Sequence, residues 1–517
     1  MKVKIRKESL FLLLLGIIVY LPFMAGQLNN ADGFTNGVLY HGDGYGWEDA
    51  QGRFFLRFFD YWRDSMIVPE LIVFVSVLMM LVMIYLVWET LDITNFLERV
   101  LIGGFILFAP SIANLFTYYY CADAYSLGFL LAVAAAYVLI KGKKSFFWLP
   151  IVLLIVSMGI YQTYVGATIS LVVIWVIKEI LRNEIEVKEL ISRIAYSVSV
   201  VVGGAVGYLG IFKLLEKIGY LSPTGTRGMD NMLGNMFTQL LDMIRVAYQV
   251  FQQYFFQDSI INNSWRFRKY FNIAICVATI FLILYLFYRR KVYCSIIKMI
   301  VLLGAILVFP AMLTIIVILA PGASVYAETG MLMLPYMNLL YVLPLTLLEL
   351  VGHEKKTSMI KVPFYLLSTI LLMIMVVFIG VFIRTIELEQ AKVQALAYQM
   401  ENRIESIPGY TSGMKVLVVG RPHSGNYPFA DEKMHDITKG MISRYSLTFG
   451  GADQVSASWI KLFQYYCGVN YTECETAERE AIMTSLEFEE MGNFPESTAV
   501  KKINDIVVIR FNWADVK

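Results

Sequence analysis

The sequence has few charged residues and few histidines, and both scarcities restrict what the protein can be. Only 16% of its 517 residues are charged and its net charge is +2, whereas about 25% charged residues is usual for a soluble domain. The composition therefore excludes an ordinary soluble protein and gives no basic surface for nucleic acid. The four histidines show no metal-ligand spacing, and the five cysteines do not make a disulfide framework.

Several motifs that bind nucleotides or metals are also absent. The chain has no P-loop, no nucleophile elbow and no Asp-x-Asp pair, which is the usual metal clamp of nucleotide-sugar transferases. No segment that we expect in the cytoplasm exceeds about 20 residues, too few for a nucleotide-binding domain. We therefore expect no metal and no cofactor. Any energy-rich donor must reach its site from the exterior or from within the bilayer.

Long apolar runs dominate the chain instead. It is 58% hydrophobic, and its mean hydropathy of +0.61 predicts a polytopic α-helical membrane protein. A spanning helix needs about 20 apolar residues, and hydropathy predicts about eleven such spans. They lie near 8–24, 67–89, 99–118, 122–140, 145–162, 165–181, 192–215, 270–288, 295–320, 331–350 and 361–384. The first run resembles a signal peptide, but the many later spans favour a retained helix.

Positive charges predict the orientation of these spans. Lys and Arg concentrate at 2–7, 141–144, 178–193, 289–298 and 355–361, whereas the intervening turns near 119–121, 162–165 and 321–330 have none. This alternation predicts a cytoplasmic N-terminus, and an odd number of spans then places the C-terminus outside. The exterior regions are the loop 25–66, the loop 216–268 with an amphipathic helix over 229–256, and the tail 386–517.

We divide the chain into a transmembrane domain, 1–385, and a small extracytoplasmic α/β domain, 386–517. In the second domain, residues 385–406 continue the last span as a helix. The short apolar runs 415–420 and 505–511 are typical of buried strands. Cys467 and Cys474 lie there, and an oxidising exterior permits either a disulfide or two free thiols.

The loop after the first span is acidic and contains the first candidate catalytic residues. Asp32 follows the span closely, so its carboxylate is held near the membrane surface, where it suits a general base for an acceptor hydroxyl. Asp43, Glu48 and Asp49 could share that role, bind an acceptor or hold a cation. Four carboxylates with an arginine and a tryptophan at a membrane surface suggest a sugar-handling site. The alternative is a solvated acidic loop without function.

Basic and aromatic residues in the same loop suggest how a phosphate could be held. Arg53 lies beside the acidic cluster, and arginine forks suit phosphate oxygens. Arg57 and Arg63, in a very aromatic segment, fit either phosphate binding or snorkelling at the membrane interface. Trp47 is either a sugar-stacking platform or an interface anchor, and Arg227 in the second loop is a further phosphate-binding candidate.

Two other exterior turns supply candidate substrate contacts. Asp123 opens a predicted span, and it either faces a wet cavity or caps its helix, because Asp is a common N-cap. Tyr161 and Gln162 lie at the outer end of another predicted span. All these residues are expected on the same face of the membrane, so a single exterior site could contain them.

These residues resemble the bacterial glucosyltransferase II membrane family of O-antigen modification. The resemblance is in the pattern from Trp47 to Arg53, the turn Asp123-Ala124-Tyr125-Ser126 and the run 157–164. The order of elements agrees through the last span and its trailing helix. The resemblance implies a GT-C type hexosyltransferase of the bacterial plasma (inner) membrane, with a polyprenyl-phosphate sugar, expected to be glucose, as donor and a cell-surface glycan as acceptor.

The resemblance also implies that an acid in the first exterior loop is the catalytic base of an inverting transfer. Asp32 matches that position best, but the family often has two adjacent acids where this chain has Asp32-Gly33. The base therefore stays open between Asp32 and the later carboxylates. Three other interpretations remain: a lipid-linked glycan flippase or transporter, a glycan polymerase or ligase, and a non-enzymatic assembly protein. Predicted spans almost free of ionisable residues count against ion-coupled transport.

Overall fold

The computed structural model describes residues 6–26, 28–41, 46–143, 146–221, 232–257, 266–319, 334–352, 355–411, 413–420 and 452–511. The helices up to residue 182 are α1 (Lys7–Gly26), α2 (Ala31–Thr35), α3 (Gly46–Ala50), α4 (Arg57–Tyr61), α5 (Pro69–Thr90), α6 (Phe96–Leu107), α7 (Pro110–Leu115), α8 (Ala122–Lys141), α9 (Trp148–Ile160) and α10 (Val165–Arg182). The later helices of the bundle are α11 (Val187–Lys217), α12 (Met232–Phe256), α13 (Arg266–Arg289), α14 (Ile296–Leu313), α15 (Ile315–Leu319), α16 (Leu339–Leu348) and α17 (Lys355–Glu405).

Eight helices in the described ranges are long and apolar enough to cross a membrane. They are α1, α5, α8, α10, α11, α13, α14 and α17. The predicted span 99–118 is instead broken into α6 and α7, because Pro110 has no N–H to continue the first helix and Ala109 before it is extended (φ −62°, ψ 132°). The predicted spans 145–162 and 331–350 correspond to the shorter apolar helices Trp148–Ile160 and Pro335–Leu348.

Helix α8 lies inside the bundle, between α5, α9 and α10. Small residues let these helices approach closely: a Cβ added at Gly128 would lie 2.9 Å from Ile160 Cγ2. Hydroxyls join the helices across this contact, since Ser157 Oγ donates to the Gly128 carbonyl at 2.7 Å and Thr168 Oγ1 donates to the Ala132 carbonyl at 2.7 Å. The close packing fixes the positions of the turns that open α8 and α10.

Ion pairs concentrate at the end of the bundle where α1 begins. They join Arg6 to Glu89 (2.7 Å), Arg99 to Glu8 (3.0 Å), Lys141 to Asp92 (2.6 Å) and Lys361 to Glu98 (3.2 Å). Several of the cations that predicted the topology therefore lie at one end. The opposite end carries residues 28–41 and 46–68 and the turns before α8 and α10, and we call it the loop end.

The last helix of the bundle continues into a mixed β-sheet unit. Helix α17 is 51 residues long and continuous, which confirms the predicted helix over 385–406. The strands are β1 (Lys415–Val419), β2 (Thr472–Glu473), β3 (Val500–Ile503) and β4 (Ile506–Arg510), in the order β2-β1-β4-β3. Among these four described strands, β3 and β4 pair antiparallel, whereas β1 pairs parallel with β2 and with β4. The apolar runs that contain β1 and β4 were both predicted as strands and are confirmed.

Helices complete this unit on both faces of the sheet. They are α18 (Ala452–Cys467), α19 (Thr476–Met483) and α20 (Leu486–Glu489). Trp459 and Phe463 of α18 are buried with Val418 on one face, whereas Phe488 of α20 is buried with Leu417 on the other. This alternation follows from the period of two in a strand. Cys467 and Cys474 are both free thiols.

Candidate active site

Arg53 lies in a cage of tyrosines at the loop end. It follows Gly52, whose positive φ of 83° closes the turn after α3, a conformation that glycine adopts readily. Arg53 Nη1 donates to Tyr125 Oη at 2.9 Å, and its Cζ lies 4.7 Å from the ring centroid of Tyr161, a cation–π distance. Its Nε is buried and has no hydrogen-bond partner among the described residues. The Nε–H group of Arg53 could therefore donate a hydrogen bond to a ligand oxygen.

Glu48 lies on the other side of the same arginine. The carboxylate is buried and accepts from Tyr120 Oη at 3.2 Å, while its backbone carbonyl accepts from the Arg53 N–H at 3.0 Å. Burial opposes the charge of Arg53, but Tyr125, Tyr161 and the Glu48 carboxylate outweigh that effect and raise its pKa above the ordinary value. The site thus contains a permanent positive charge.

Asp49, the next acid along the chain, faces a different partner. Its side chain is 2% exposed and forms an ion pair with Arg57. Arg57 also donates to Tyr220 Oη and lies over the ring of that tyrosine, with 4.4 Å between Cζ and the centroid. Arg57 therefore ties α3 and α4 to the end of α11.

Asp32 lies in the short helix α2, which its neighbours hold firmly. The side chain of Asn30 caps the helix by accepting from Gly33 N at 2.8 Å, and its Nδ2 donates to Thr117 Oγ1 at 2.9 Å. Asp32 is half-buried. Burial raises the pKa of Tyr118, and the Asp32 carboxylate raises it further. Burial likewise raises the pKa of Tyr120, and Cys121, Glu48 and Asp32 raise it further, in that order. Helix α2 therefore borders the tyrosine cage.

Asp123 and Arg63 form a buried ion pair beside the cage. Asp123 Oδ2 accepts from Arg63 Nε at 3.0 Å and from Trp62 Nε1 at 3.1 Å. The two side chains are 2% exposed for the arginine and 1% for the aspartate. Arg63 also donates to the carbonyls of Met66 and Tyr120, at 2.7 and 2.9 Å. Arg63 is thus buried and does not snorkel to the interface, and Asp123 anchors the end of the loop to the start of α8.

Gln162 fixes the other side of the first loop. Its Nε2 donates to the Gln51 carbonyl at 2.6 Å and to Tyr208 Oη at 2.8 Å. Tyr208 Oη in turn donates to the Gly52 carbonyl at 3.0 Å. Gln162 therefore holds the turn that presents Arg53, while Tyr161 supplies the ring under the guanidinium.

Two buried tyrosines, Tyr164 and Tyr336, extend the cage inward, and sequence reasoning missed Tyr336. The ring of Tyr164 lies 5.2 Å from that of Tyr161. A Cβ added at Gly166 would meet Tyr336 Oη at 2.6 Å, so Tyr336 reaches the first turn of α10. Neither the Tyr164 nor the Tyr336 hydroxyl has a hydrogen-bond partner within the described residues. Buried polar groups are normally satisfied, so both hydroxyls suit a hydroxylated ligand or water.

Three residues that the sequence analysis proposed for the site remain to be placed. Asp43 and Arg227 lie outside the described residues, and Trp47 is described only by its place in α3. The structure brings Glu48, Arg53 and Tyr161 to the cage and α2 with Asp32 to its border. Among the described residues no group of three His, Cys, Asp or Glu side chains could hold a metal ion. The arrangement offers a carboxylate, a fixed cation and several hydroxyls.

Eight described helices that are long and apolar enough to cross a membrane indicate a polytopic membrane protein, and its polar, tyrosine-lined site lies at one end of the bundle. A family model described as Glucosyl transferase GtrII matches residues 35–339, more than half of the chain. The chain belongs to this glucosyl transferase family, which confirms the resemblance in the sequence and implies glucosyltransferase activity. The matched range contains Glu48, Arg53, Asp123 and Tyr161 and begins three residues after Asp32. No curated protein and no solved structure matches the chain.

Proposed function

We propose that this protein transfers a glucosyl unit from a polyprenyl-phosphate donor to a cell-surface glycan at the exterior face of the bacterial inner membrane. The observation that carries the proposal is the cage around Arg53. A guanidinium fixed by Tyr125 and Tyr161, with a buried Nε that has no partner among the described residues, suits an oxygen of the donor phosphate. Charge-assisted hydrogen bonds of this kind are about twice as strong as neutral ones.

Arg53 would act on the leaving group. As the bond between the anomeric carbon and the phosphate oxygen breaks, negative charge grows on the lipid phosphate. A fixed cation in a partly buried site stabilises that charge without reorganising, and such electrostatic stabilisation is usually a large contribution to catalysis. Glu48 keeps the arginine in place through its backbone carbonyl.

Asp32 would act on the acceptor. Its carboxylate takes the proton of the acceptor hydroxyl while that oxygen bonds to the anomeric carbon, and the lipid phosphate departs from the opposite face. One displacement of this kind inverts the anomeric centre. The capped helix α2 supports the assignment, because Asn30 and Thr117 hold the backbone on both sides of the aspartate, and a general base needs a fixed position.

A lipid-linked donor agrees with the position of the cage at the end of an apolar bundle. A cavity of about 350 Å³ between α10, α11 and α14 is lined almost wholly by apolar side chains, including Val172, Val201 and Val301. An apolar cavity in a membrane-type bundle suits an isoprenoid or another lipid chain. A soluble nucleotide donor has no lipid chain to fill such a cavity.

The test is a glycosyl-transfer assay in proteoliposomes with polyprenyl-phosphate glucose and extracted cell-surface glycan. Asp32→Asn is compared with Asp64→Asn, a matched control, because Asp64 is an exposed carboxylate in the same loop at a positive φ of 50° that asparagine tolerates. We expect a loss of at least about 100-fold for Asp32→Asn and wild-type rates for the control.

The other outcomes discriminate between parts of the proposal. Full transfer by Asp32→Asn would move the base to Asp43, Glu48 or Asp49 and keep the enzyme. Absence of transfer by the wild type with glucose, galactose and mannose donors would contradict a polyprenyl-phosphate hexose donor and favour the flippase or assembly interpretation.

A further inference from the structure

A cleft with mixed polar and aromatic walls lies between the bundle and the sheet unit, outside the arginine cage. Its volume is about 480 Å³, within the usual range of small-ligand sites, about 300–1,000 Å³. Its walls include Leu28 after α1, Glu387, Gln390 and Gln394 of α17, and Tyr465 and Tyr466 of α18. Neither the sequence patterns nor the family match assigns a role to this cleft.

The chemistry of the walls fits a neutral glycan. The carboxylate accepts hydrogen bonds from sugar hydroxyls, and the amide groups both donate and accept them. The tyrosine rings offer flat apolar faces with a polar tip. The described lining contains no lysine or arginine, so an anionic group such as a lipid phosphate has no cationic partner among these residues. The cage thus contains the cation Arg53, whereas the described lining of the cleft contains a carboxylate and no cation.

The cleft shares a wall with the helix that carries Asp32. The ring of Phe34, which is 1% exposed, lies 5.5 Å from the ring of Tyr465 and 6.1 Å from that of Tyr466. Gln390 Nε2 donates to the carbonyl of Asn29 at 3.4 Å. A ligand in the cleft would therefore contact side chains that touch α2 directly.

We propose that this cleft is the acceptor subsite, where a cell-surface glycan chain binds before one of its hydroxyls reaches Asp32. The role of Asp32 rests on the proposed function, whereas glycan binding by the cleft can be measured without it. Gln394 and Glu387 are specificity-determining residues in this scheme, and the C-terminal sheet unit supplies one wall of the enzyme's binding site.

The experiment measures glycan binding by the full-length protein in nanodiscs without any donor. The probe is a fluorescent oligosaccharide prepared from the surface polysaccharide of the source bacterium. Gln394→Ala and Glu387→Gln are compared with Gln399→Ala, a matched control on an exposed part of the same helix. Glu387 pairs only with exposed Arg384 in the contacts described, at 3.0 Å, and such surface pairs add little stability, so the variant should fold normally.

We expect Kd to rise at least about tenfold in Gln394→Ala and Glu387→Gln, because each removes a hydrogen-bonding group from the site, and to stay unchanged in Gln399→Ala. Equal affinity in all four proteins, or no binding by the wild type, would overturn the acceptor subsite. Transfer from the lipid donor is assayed separately. Glycan binding that depends on the cleft, without any transfer, would refute the proposed function and retain the subsite. Transfer with an unchanged acceptor KM in both cleft variants would refute the subsite and retain the proposed function.

Discussion

Replacement of Asp123 by asparagine tests whether this residue supports the scaffold or takes part in the chemistry. Its carboxylate accepts from Arg63 and Trp62 at 3.0 and 3.1 Å, and the two members of the ion pair are 2% and 1% exposed. Asparagine has nearly the same size and keeps one acceptor oxygen. The substitution therefore removes the negative charge opposite Arg63 and changes little else.

The expected loss of stability follows from the burial of the pair. Removal of one partner from a buried ion pair costs about 3–5 kcal/mol, because the other charge stays uncompensated. Arg63 retains the carbonyls of Met66 and Tyr120 at 2.7 and 2.9 Å, which stabilise part of its charge. We therefore expect the lower end, about 3 kcal/mol, which changes the unfolding equilibrium roughly 100-fold.

A double-mutant cycle separates the pair from its surroundings. Arg63→Met alone leaves a buried carboxylate, and the double variant with Asp123→Asn removes both charges. The double variant still leaves the two carbonyls without a donor, at a cost of about 1 kcal/mol or more each. We expect a coupling free energy of about 2–3 kcal/mol in favour of the pair. Reversible unfolding in mixed micelles, followed by tryptophan fluorescence, gives the four values.

Transfer activity per folded molecule then decides the role of Asp123. If the ion pair is structural, both Asp123→Asn and the double variant transfer at the wild-type rate once folding is corrected for. An Asp123→Asn protein with unchanged unfolding free energy and a transfer rate lowered 100-fold or more would refute our reasoning and make Asp123 a substrate contact. Asp64→Asn, exposed in the same loop, controls for loss of a carboxylate.

Three further substitutions test the cage and helix α2. Arg53→Lys keeps the charge but loses the planar fork, so kcat/KM for the lipid donor, per folded molecule, should fall at least about tenfold; unchanged kinetics would remove Arg53 from the phosphate site. Phe34→Ala should destabilise the contact with α18 by about 3–5 kcal/mol, seen as faster proteolysis of the C-terminal unit. Asn30→Ala should cost about 1 kcal/mol of cap stability and lower kcat. Asn36→Ala loses only the side-chain hydrogen bond from Asn36 Nδ2 to the Asp32 carbonyl and should affect kcat less.

The sequence predicted the presence of the bundle helices better than their lengths and breaks. Long apolar runs and clustered cations suffice to predict a polytopic helical protein. The break at Pro110 and the short helix Trp148–Ile160 are set by local backbone chemistry and by neighbours, which a hydropathy average does not register. Strand periodicity likewise predicted β1 and β4 but not their pairing order.

The sequence predicted the residue types of the site but not their partners. Asp123 and Arg63 are 60 positions apart, and nothing in the spacing of either residue indicates that they form a pair. The same holds for Glu48 with Tyr120, 72 positions apart. Residues so distant meet only because α8 packs inside the bundle, so their contacts are a property of the tertiary fold.

Partners also distinguish the acids of the first loop, which looked equivalent in the sequence. Asp49 is 2% exposed and balances Arg57, so accepting a proton would break its ion pair with that arginine. Glu48 is buried and accepts from Tyr120, on the side of the cage where Arg53 would hold the phosphate. A base must meet an incoming hydroxyl opposite the leaving group. Asp32, half-buried on the capped helix beside the cleft, best meets that requirement among the first-loop acids that the structure describes.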